Sequence, residues 1–317
     1  MKTNLETRRG LKGWFCDLFA EIKEHKFIYI IAVPVLLYYL LFYLKPLYGL
    51  LIAFKNYAPV KGIFGSPWAD NYGFEHFISF LNDPYFFRLI RNTLAISGLG
   101  LLFDFPAAII LALLINEVRS NTYKKIIQTA TYLPHFISIM VLCSMIHTFV
   151  GREGLINDII VMFGGQRSQI LTRPELFRPV FIISGIWQGV GWNSIIYLSA
   201  LSSIDPQLYE AASIDGASKV RQIFHVTLPG IIPTVTIMFI MRTGSLLSVG
   251  YEKIILLYND MTRETADVIS SYVYERGLLD ADYSYSAAVG MFNSVINLII
   301  LCFTNSLCKR MNETSLW

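Results

Sequence analysis

The chain has 317 residues, 54% of them hydrophobic and 15% charged, with 26 basic against 23 acidic side chains and a net charge of +3. A soluble protein runs at about 25% charged residues, and a mean hydropathy of +0.49 leaves more apolar surface than a water-soluble globule of this size can hide. The bilayer must be its solvent; disorder, collagen and coiled coil are excluded on the same figures, and no basic cluster suits a nucleic acid.

Residues 1–26 read as a cytoplasmic arm in which Trp14, Phe15, Leu18, Phe19 and Ile22 stand among charges, as in an interfacial amphipathic helix or a solvated tail. A transmembrane helix needs about 20 mostly apolar residues. Uncharged runs of that order cover 27–44, 92–116 (interrupted by Asp104), 126–151, 179–204, 226–251 (interrupted by Arg242) and 283–308. They predict an all-α integral membrane protein: a six-helix domain over 27–308 followed by a short cytoplasmic tail, 309–317. The first run is too long and too far from the start for a cleavable signal, and it lacks a small-residue cleavage site. With the N-terminus inside, the inner segments carry thirteen basic and nine acidic residues and the outer ones ten and thirteen. That positive-inside bias puts both termini in the cytoplasm.

Little chemistry is encoded. Cys16, Cys143, Cys302 and Cys308 form no C-x-x-C pair, so neither a disulfide framework nor a zinc site is indicated. No Gly-Lys dipeptide is present, which rules out a Walker phosphate loop. H-E-x-x-H and G-x-S-x-G are missing, and the five histidines are scattered.

The most informative stretch is the cytoplasmic loop 203–229. Asp205 is a good N-cap and Pro206 fits the first helical position. Leu208, Ala211 and Ala212 make a small apolar face, and Asp215-Gly216 supplies a turn with glycine free to take positive φ. Val220, Ile223 and Phe224 repeat the apolar spacing, and Pro229 starts the next span. An exposed two-helix knob between two membrane helices is built to be gripped.

Glu210-Ala211-Ala212, with Gly216 six residues after the glutamate and Val226-x-Leu228-Pro229 beyond, resembles the EAA loop of ABC-importer permeases, with valine at 226 where isoleucine is usual. Phe54-Lys55-Asn56-Tyr57, Tyr132-Leu133-Pro134-His135, Gly191-Trp192-Asn193 and the terminal Ser315-Leu316-Trp317 look like the carbohydrate-uptake branch. More narrowly, they look like the polysaccharide and oligosaccharide permeases related to lipoprotein- and alginate-transport systems. Asp104, before Phe105-Pro106, departs from that pattern, where a small or apolar residue is expected. The resemblance implies a type I importer half of the MetI-like fold in a bacterial cytoplasmic membrane, its first helix embracing a second, usually different, permease. It further implies two partner ATPase subunits that bind ATP and Mg, an extracytoplasmic sugar-binding protein, a carbohydrate substrate, and no cofactor or metal in this chain. Glu210 then orients the loop and Gly216 makes its turn, while Leu208, Tyr209, Ala212 and Val220 contact the ATPase. The alternative is a six-helix secondary carrier or channel for a polar solute; a carrier should show inverted repeats and a coupling-ion site, and neither is visible.

A sugar path needs aromatic faces beside amides. Trp187, Gln188, Trp192 and Asn193 on the fourth span qualify, as do Asn293 and Asn297 on the sixth and Tyr132 and His135 on the third. Packing competes with this reading, since Gly185 and Gly189 form a G-x-x-x-G that seats helices tightly. Asp104 and Arg242 fall near mid-membrane, where an unpaired charge costs about 2.5–3.5 kcal/mol. They pair directly, line a wet cavity separately, or Arg242 rests on backbone carbonyls beside Gly244. The tyrosine- and acid-rich loop 251–285 is either a docking rim for the binding protein or a self-contained cap.

Overall fold

The computed structural model describes residues 23–312 and 314–317; the aromatic side chains expected to make the 1–26 arm amphipathic lie outside them. In chain order the main helices are α1 (Lys26–Phe54), α2 (Glu75–Leu81), α3 (Phe86–Glu117), α4 (Asn121–Tyr132), α5 (Ile139–Val150), α6 (Leu155–Met162) and α7 (Pro174–Ser202). They continue with α8 (Pro206–Ile214), α9 (Lys219–Thr243), α10 (Tyr251–Leu257), α11 (Ile269–Tyr274) and α12 (Tyr283–Asn312). No strand occurs among the described residues, only an isolated bridge between Lys55 and Trp68.

Five stretches are long and apolar enough to cross a membrane: α1, α3, α5 with α6, α9, and α12. A further helix, α7, has 29 residues, but Gln188, Asn193 and two tryptophans dilute its apolar character. Five of the six uncharged runs fall on these stretches; their ends differ because a charge does not stop a helix. α1 continues through Lys45 to Phe54, α3 begins before Arg88, and α9 begins at Lys219 rather than at Pro229. Long cationic side chains can carry their heads to the interface, so the backbone stays helical beneath them.

Proline shapes three of these helices. A proline ring clashes with the carbonyl four residues back and offers it no N–H. Here the helix answers by widening one turn: π turns occupy Leu40–Leu44, Gly100–Asp104 and Ile223–Thr227, each ending two residues before Pro46, Pro106 or Pro229. In each, the residue just before the proline donates five residues back, as Phe105 does to the Gly100 carbonyl. Asp104 is therefore in a π turn, a feature frequent at functional sites.

Two expected spans are broken. The run 126–151 is α4, a 3-10 turn at Leu133–Phe136 and then α5, because Ile137 and Ser138 are extended and Ser138 caps α5 by accepting the Val141 N–H at 3.3 Å. The run 226–251 ends early: α9 stops at Gly244, and residues 245–250 lead irregularly into α10. Interhelical seating is also elsewhere than the G-x-x-x-G. A Cβ on Gly185 or Gly189 would make ordinary contacts, at 3.5 and 3.4 Å, whereas one on Gly191 would lie 2.0 Å from the Thr131 carbonyl oxygen. Gly191 is thus the position where α7 meets α4 backbone to backbone.

The bundle centres on α7. Tyr197, Leu198 and Leu201 pack against Ala108, Ala112 and Ile115 of α3, while Phe177 joins Ile96, Leu142 and Ile254 in a second cluster. Full burial of such side chains stabilises by about 1.5–3 kcal/mol each. In contrast, no residue of α1 before Tyr48 is buried, and Ile31 is 73% exposed. That surface is fit for lipid or another helix. The far end of α1 is tied to α12, where the Ser284 hydroxyl donates to the Lys55 carbonyl at 2.6 Å and accepts the Tyr57 N–H at 2.9 Å.

Candidate functional site

The 203–229 loop folds as a knob at one end of the bundle. Asp205 caps α8, its carboxylate accepting the Gln207 N–H at 2.9 Å, an interaction worth about 1 kcal/mol. Gly216 has φ +74°, and the Ala217 N–H closes the helix end on the Ala212 carbonyl at 2.9 Å, the αL termination that favours glycine. Ser218 then caps the start of α9. The buried Gln222 holds the two helices together, donating to the Ser213 hydroxyl at 2.9 Å and the Ala217 carbonyl at 3.3 Å. Tyr209, half-buried, shares a 3.1 Å hydrogen bond with Thr227. Glu210 and Ala211 are exposed and Ala212 half-buried, so Tyr209, Ser213 and Gln222 carry the ties within the knob. Leu208 and Val220 are exposed, as anticipated; Ile214, at 87%, and Phe224 join them. An exposed apolar patch of this kind marks an interaction surface.

In mid-bundle, Arg242 and Asp104 meet. An Arg242 Nη donates to the Asp104 carboxylate at 3.3 Å, with Arg242 about half exposed and Asp104 at 18%. Of the three arrangements open to these charges, the structure combines the first two, since the pair also forms the wall between two cavities. One, of about 210 Å³, lies toward the Pro174 end of α7 beside Ser97, Phe181, Gly185 and Ser248. The other, of about 370 Å³, lies toward the knob beside Phe105, Trp192, Tyr197 and Met238. Asp104, Asn193, Arg242 and Ser245 line both.

The proposed path residues divide. Asn193 and Trp192 reach these cavities, and His135 stacks on Trp192 with centroids 4.5 Å apart; Tyr132 is half-buried beside it at the end of α4. Gln188 instead donates to the Ile137 carbonyl at 2.9 Å, satisfying the break before α5. Asn297 is buried, accepts the Leu247 N–H at 2.9 Å and donates to the Ser248 hydroxyl at 2.9 Å, holding the irregular segment after α9. Asn293 is half-buried, its buried carbonyl oxygen unpaired among the described residues. Trp187 lies apart, in an apolar groove with Met145, Phe149 and Ile183.

The loop 251–285 is a cap tied to itself and to the bundle. Tyr272 and Tyr285 are buried and both donate to Asp83, at 2.6 and 2.9 Å. Burial raises the Asp83 pKa, but these bonds, the Tyr85 N–H and Arg276 together bring it below the usual value. Tyr258 bonds to Glu275 and is pushed up to about 12 by burial and by that carboxylate. Asp267, 2% exposed, pairs with Arg88 at 2.9 Å; burial raises its pKa despite that partner. Sequence reasoning missed the peg beneath it. Asn92 is fully buried, donates to the Glu264 and Asp267 carbonyls at 2.8 and 2.9 Å, and accepts from Arg178 at 2.8 Å. An asparagine opening an apolar run was the available signal. Tyr283, Asp280 and Asp282 remain exposed on the rim.

A helical bundle with interrupted helices, a mid-bundle ion pair lining two cavities and a projecting knob is the architecture of a membrane permease. The inner-membrane component of binding-protein-dependent transport systems matches residues 104–313, and the chain belongs to that family: it is a permease of the ABC importer type. It is 42% identical over 301 residues to the polygalacturonan/rhamnogalacturonan transport system permease YteP of Bacillus subtilis, covering 95% of this chain and 93% of that one. A crystal structure of a bacterial ABC transporter involved in import of the acidic polysaccharide alginate aligns with TM-score 0.85 at 44% identity, over 93% of this chain and 99% of its counterpart. The alginate transporter in complex with alginate pentasaccharide-bound periplasmic protein aligns with TM-score 0.86 at 43% identity, over 94% and 99%.

Proposed function

We propose that this chain is one permease of an ATP-driven importer that moves an acidic, uronate-containing oligosaccharide across a bacterial cytoplasmic membrane. Its membrane path consists of six passes, α7 among them, with both termini and the knob on the cytoplasmic side. The knob seats in a partner ATPase through Leu208, Val220 and the Glu210-Ala211-Ala212 segment of α8; ATP and Mg belong to that partner. A second permease covers α1, and an extracytoplasmic binding protein delivers the sugar over the 251–285 cap. The observation that carries the reading is the knob: a capped, cross-braced helical pair whose outward apolar side chains nothing among the described residues covers. The acidic substrate is supported by the transport of polygalacturonan and alginate by its relatives.

The test is ATP-dependent uptake in proteoliposomes holding this chain with its partner permease and ATPases and supplied with loaded binding protein. Uronate oligosaccharides should be taken up, and Gly216→Pro should abolish uptake and loosen the ATPases while the variant still inserts. Undiminished uptake by Gly216→Pro would refute the coupling role. Uptake independent of ATP would favour a carrier.

A further inference from the structure

We propose that Arg242 is the anion-binding residue of the sugar path and Asp104 its resting counter-ion, so that a carboxylate of the passing sugar replaces Asp104 on the guanidinium. The inference rests on the acidic-substrate reading above and adds the residue that would exploit it.

Position comes first. The two cavities are stacked along the bundle: one borders Ser97, Phe181 and Gly185, the other Phe105, Trp192 and Tyr197. Along both α3 and α7 the first set precedes the second by about two to four turns, a separation of about 10–20 Å at 1.5 Å per residue. Asp104 and Arg242 stand between, on the wall common to both. The ion pair, with Asn193 and Ser245, is thus where the two cavities adjoin.

Chemistry comes second. The contact is a single hydrogen bond of 3.3 Å, not the bidentate fork that guanidinium and carboxylate make when they are committed to one another. Arginine has five N–H donors, and no other hydrogen bond of this guanidinium occurs among the described residues. The side chain is 49% exposed and lies over Gly100, where there is no side chain to cover it. Asp104 is equally incomplete: its second oxygen is buried without a partner among the described residues. A third charge tips the balance of the site. Lys253 is buried, with its ammonium donating to the Phe181 carbonyl at 2.8 Å and standing 3.5 Å from where a Gly185 Cβ would be. It forms no salt bridge among the described residues. Lys253 does not line the cavity toward the Pro174 end but stands behind two residues that do, Phe181 and Gly185. Two cations and one carboxylate thus bear on that cavity, which favours an incoming anion.

Exchange is the inexpensive way through. Separating the pair is costly chiefly for Asp104, at 18% exposure, while the half-exposed Arg242 is partly screened by solvent. A uronate carboxylate offers Arg242 the same bond that Asp104 gives, so the guanidinium is never left bare. A neutral sugar has nothing to offer and must part the pair at full cost. The π turn that carries Asp104 is a local loosening of α3 at the position where the partner must withdraw.

The experiment uses the complete transporter in proteoliposomes with saturating loaded binding protein, and compares a uronate trisaccharide with its carboxyl-reduced counterpart. Arg242→Gln should lower uronate uptake at least tenfold while leaving subunit co-elution intact and raising uptake of the reduced sugar, for which there is no longer a pair to part. Arg242→Lys, which keeps a cation, should restore most of the loss. Asp104→Asn should keep uronate uptake within about threefold and raise uptake of the reduced sugar. Loss of both sugars by the same factor in Arg242→Gln and Asp104→Asn would make the pair a structural brace and overturn the proposal, as would unchanged uronate uptake in Arg242→Gln. A wild-type transporter that moves the reduced sugar and not the uronate would instead overturn the acidic-substrate reading beneath it.

Discussion

Replacing Gly191 by alanine isolates a single contact. The added Cβ would fall 2.0 Å from the Thr131 carbonyl oxygen, 2.4 Å from its carbon and 3.0 Å from the Tyr132 nitrogen. All three are backbone atoms, so no rotamer change relieves the clash, and α7 and α4 must separate by more than an ångström. Overpacking a well-filled interior costs typically about 1–3 kcal/mol; with rigid backbone on both sides, the upper end of that range applies. The displacement also moves Trp192 away from His135 and stretches the 2.9 Å bond from Gln188 to the Ile137 carbonyl. Thermal unfolding of the detergent-solubilised transporter should show a fall of roughly 5–10 °C, with impaired uptake. Gly185→Ala and Gly189→Ala are the controls, because their Cβ atoms meet only side-chain ends at 3.5 and 3.4 Å. Both should stay within about 2 °C of wild type. If Gly191→Ala is as mild as these, or Gly185→Ala as severe, the seating of α7 on α4 has been misplaced.

Gly216→Ala should weaken the knob by about 1 kcal/mol, the usual penalty for a non-glycine residue at positive φ, because nothing lies within 4 Å of the added carbon; sugar-stimulated ATPase activity should fall only modestly. Gly216→Pro, whose φ is locked negative, should abolish that stimulation. Asn92→Leu should strand the Glu264 and Asp267 carbonyls and leave Arg178 only its bond to the Thr265 carbonyl, costing about 2–4 kcal/mol; limited proteolysis should then cut within 251–282 much faster. Tyr272→Phe removes one of the two hydroxyls held by Asp83 and should cost about 1 kcal/mol, read as faster amide exchange in α11. Acid should act on the same tie: the folded Asp83 pKa lies below its ordinary 3.8, so its contribution is complete above that value and is lost as pH falls through the folded pKa.

How much of this was legible beforehand depends on what signals each feature. Five of the expected spans announced themselves, since about 20 uncharged residues have few other uses. The knob did too, because Asp205, Pro206 and Gly216 are local devices acting on their own neighbours. The ends of the helices were not legible from charge alone, as Lys45 and Lys219 show. Nor were the breaks at 133–138 and 245–250, because a glycine or proline bends some membrane helices and interrupts others according to what stands opposite to receive the freed backbone groups. That partner is distant in sequence: Gln188 for the first break and Asn297 for the second.

The amides therefore have a different meaning from the one their composition first offers. Gln188 and Asn297 looked like groups for binding sugar hydroxyls, yet each is occupied with main chain that left its helix. In hydrocarbon an unsatisfied peptide group costs several kcal/mol, so a broken pass must bring its own partner or lie against water. Both solutions occur within one layer of this bundle: fixed amides hold the breaks, and the half-exposed Arg242 with Asp104 faces the cavities between them. The arrangement separates rigid from movable parts. Uncharged side chains that bind backbone have no alternative partner and stay, while the ion pair, joined by one long hydrogen bond, can exchange its partner with whatever passes.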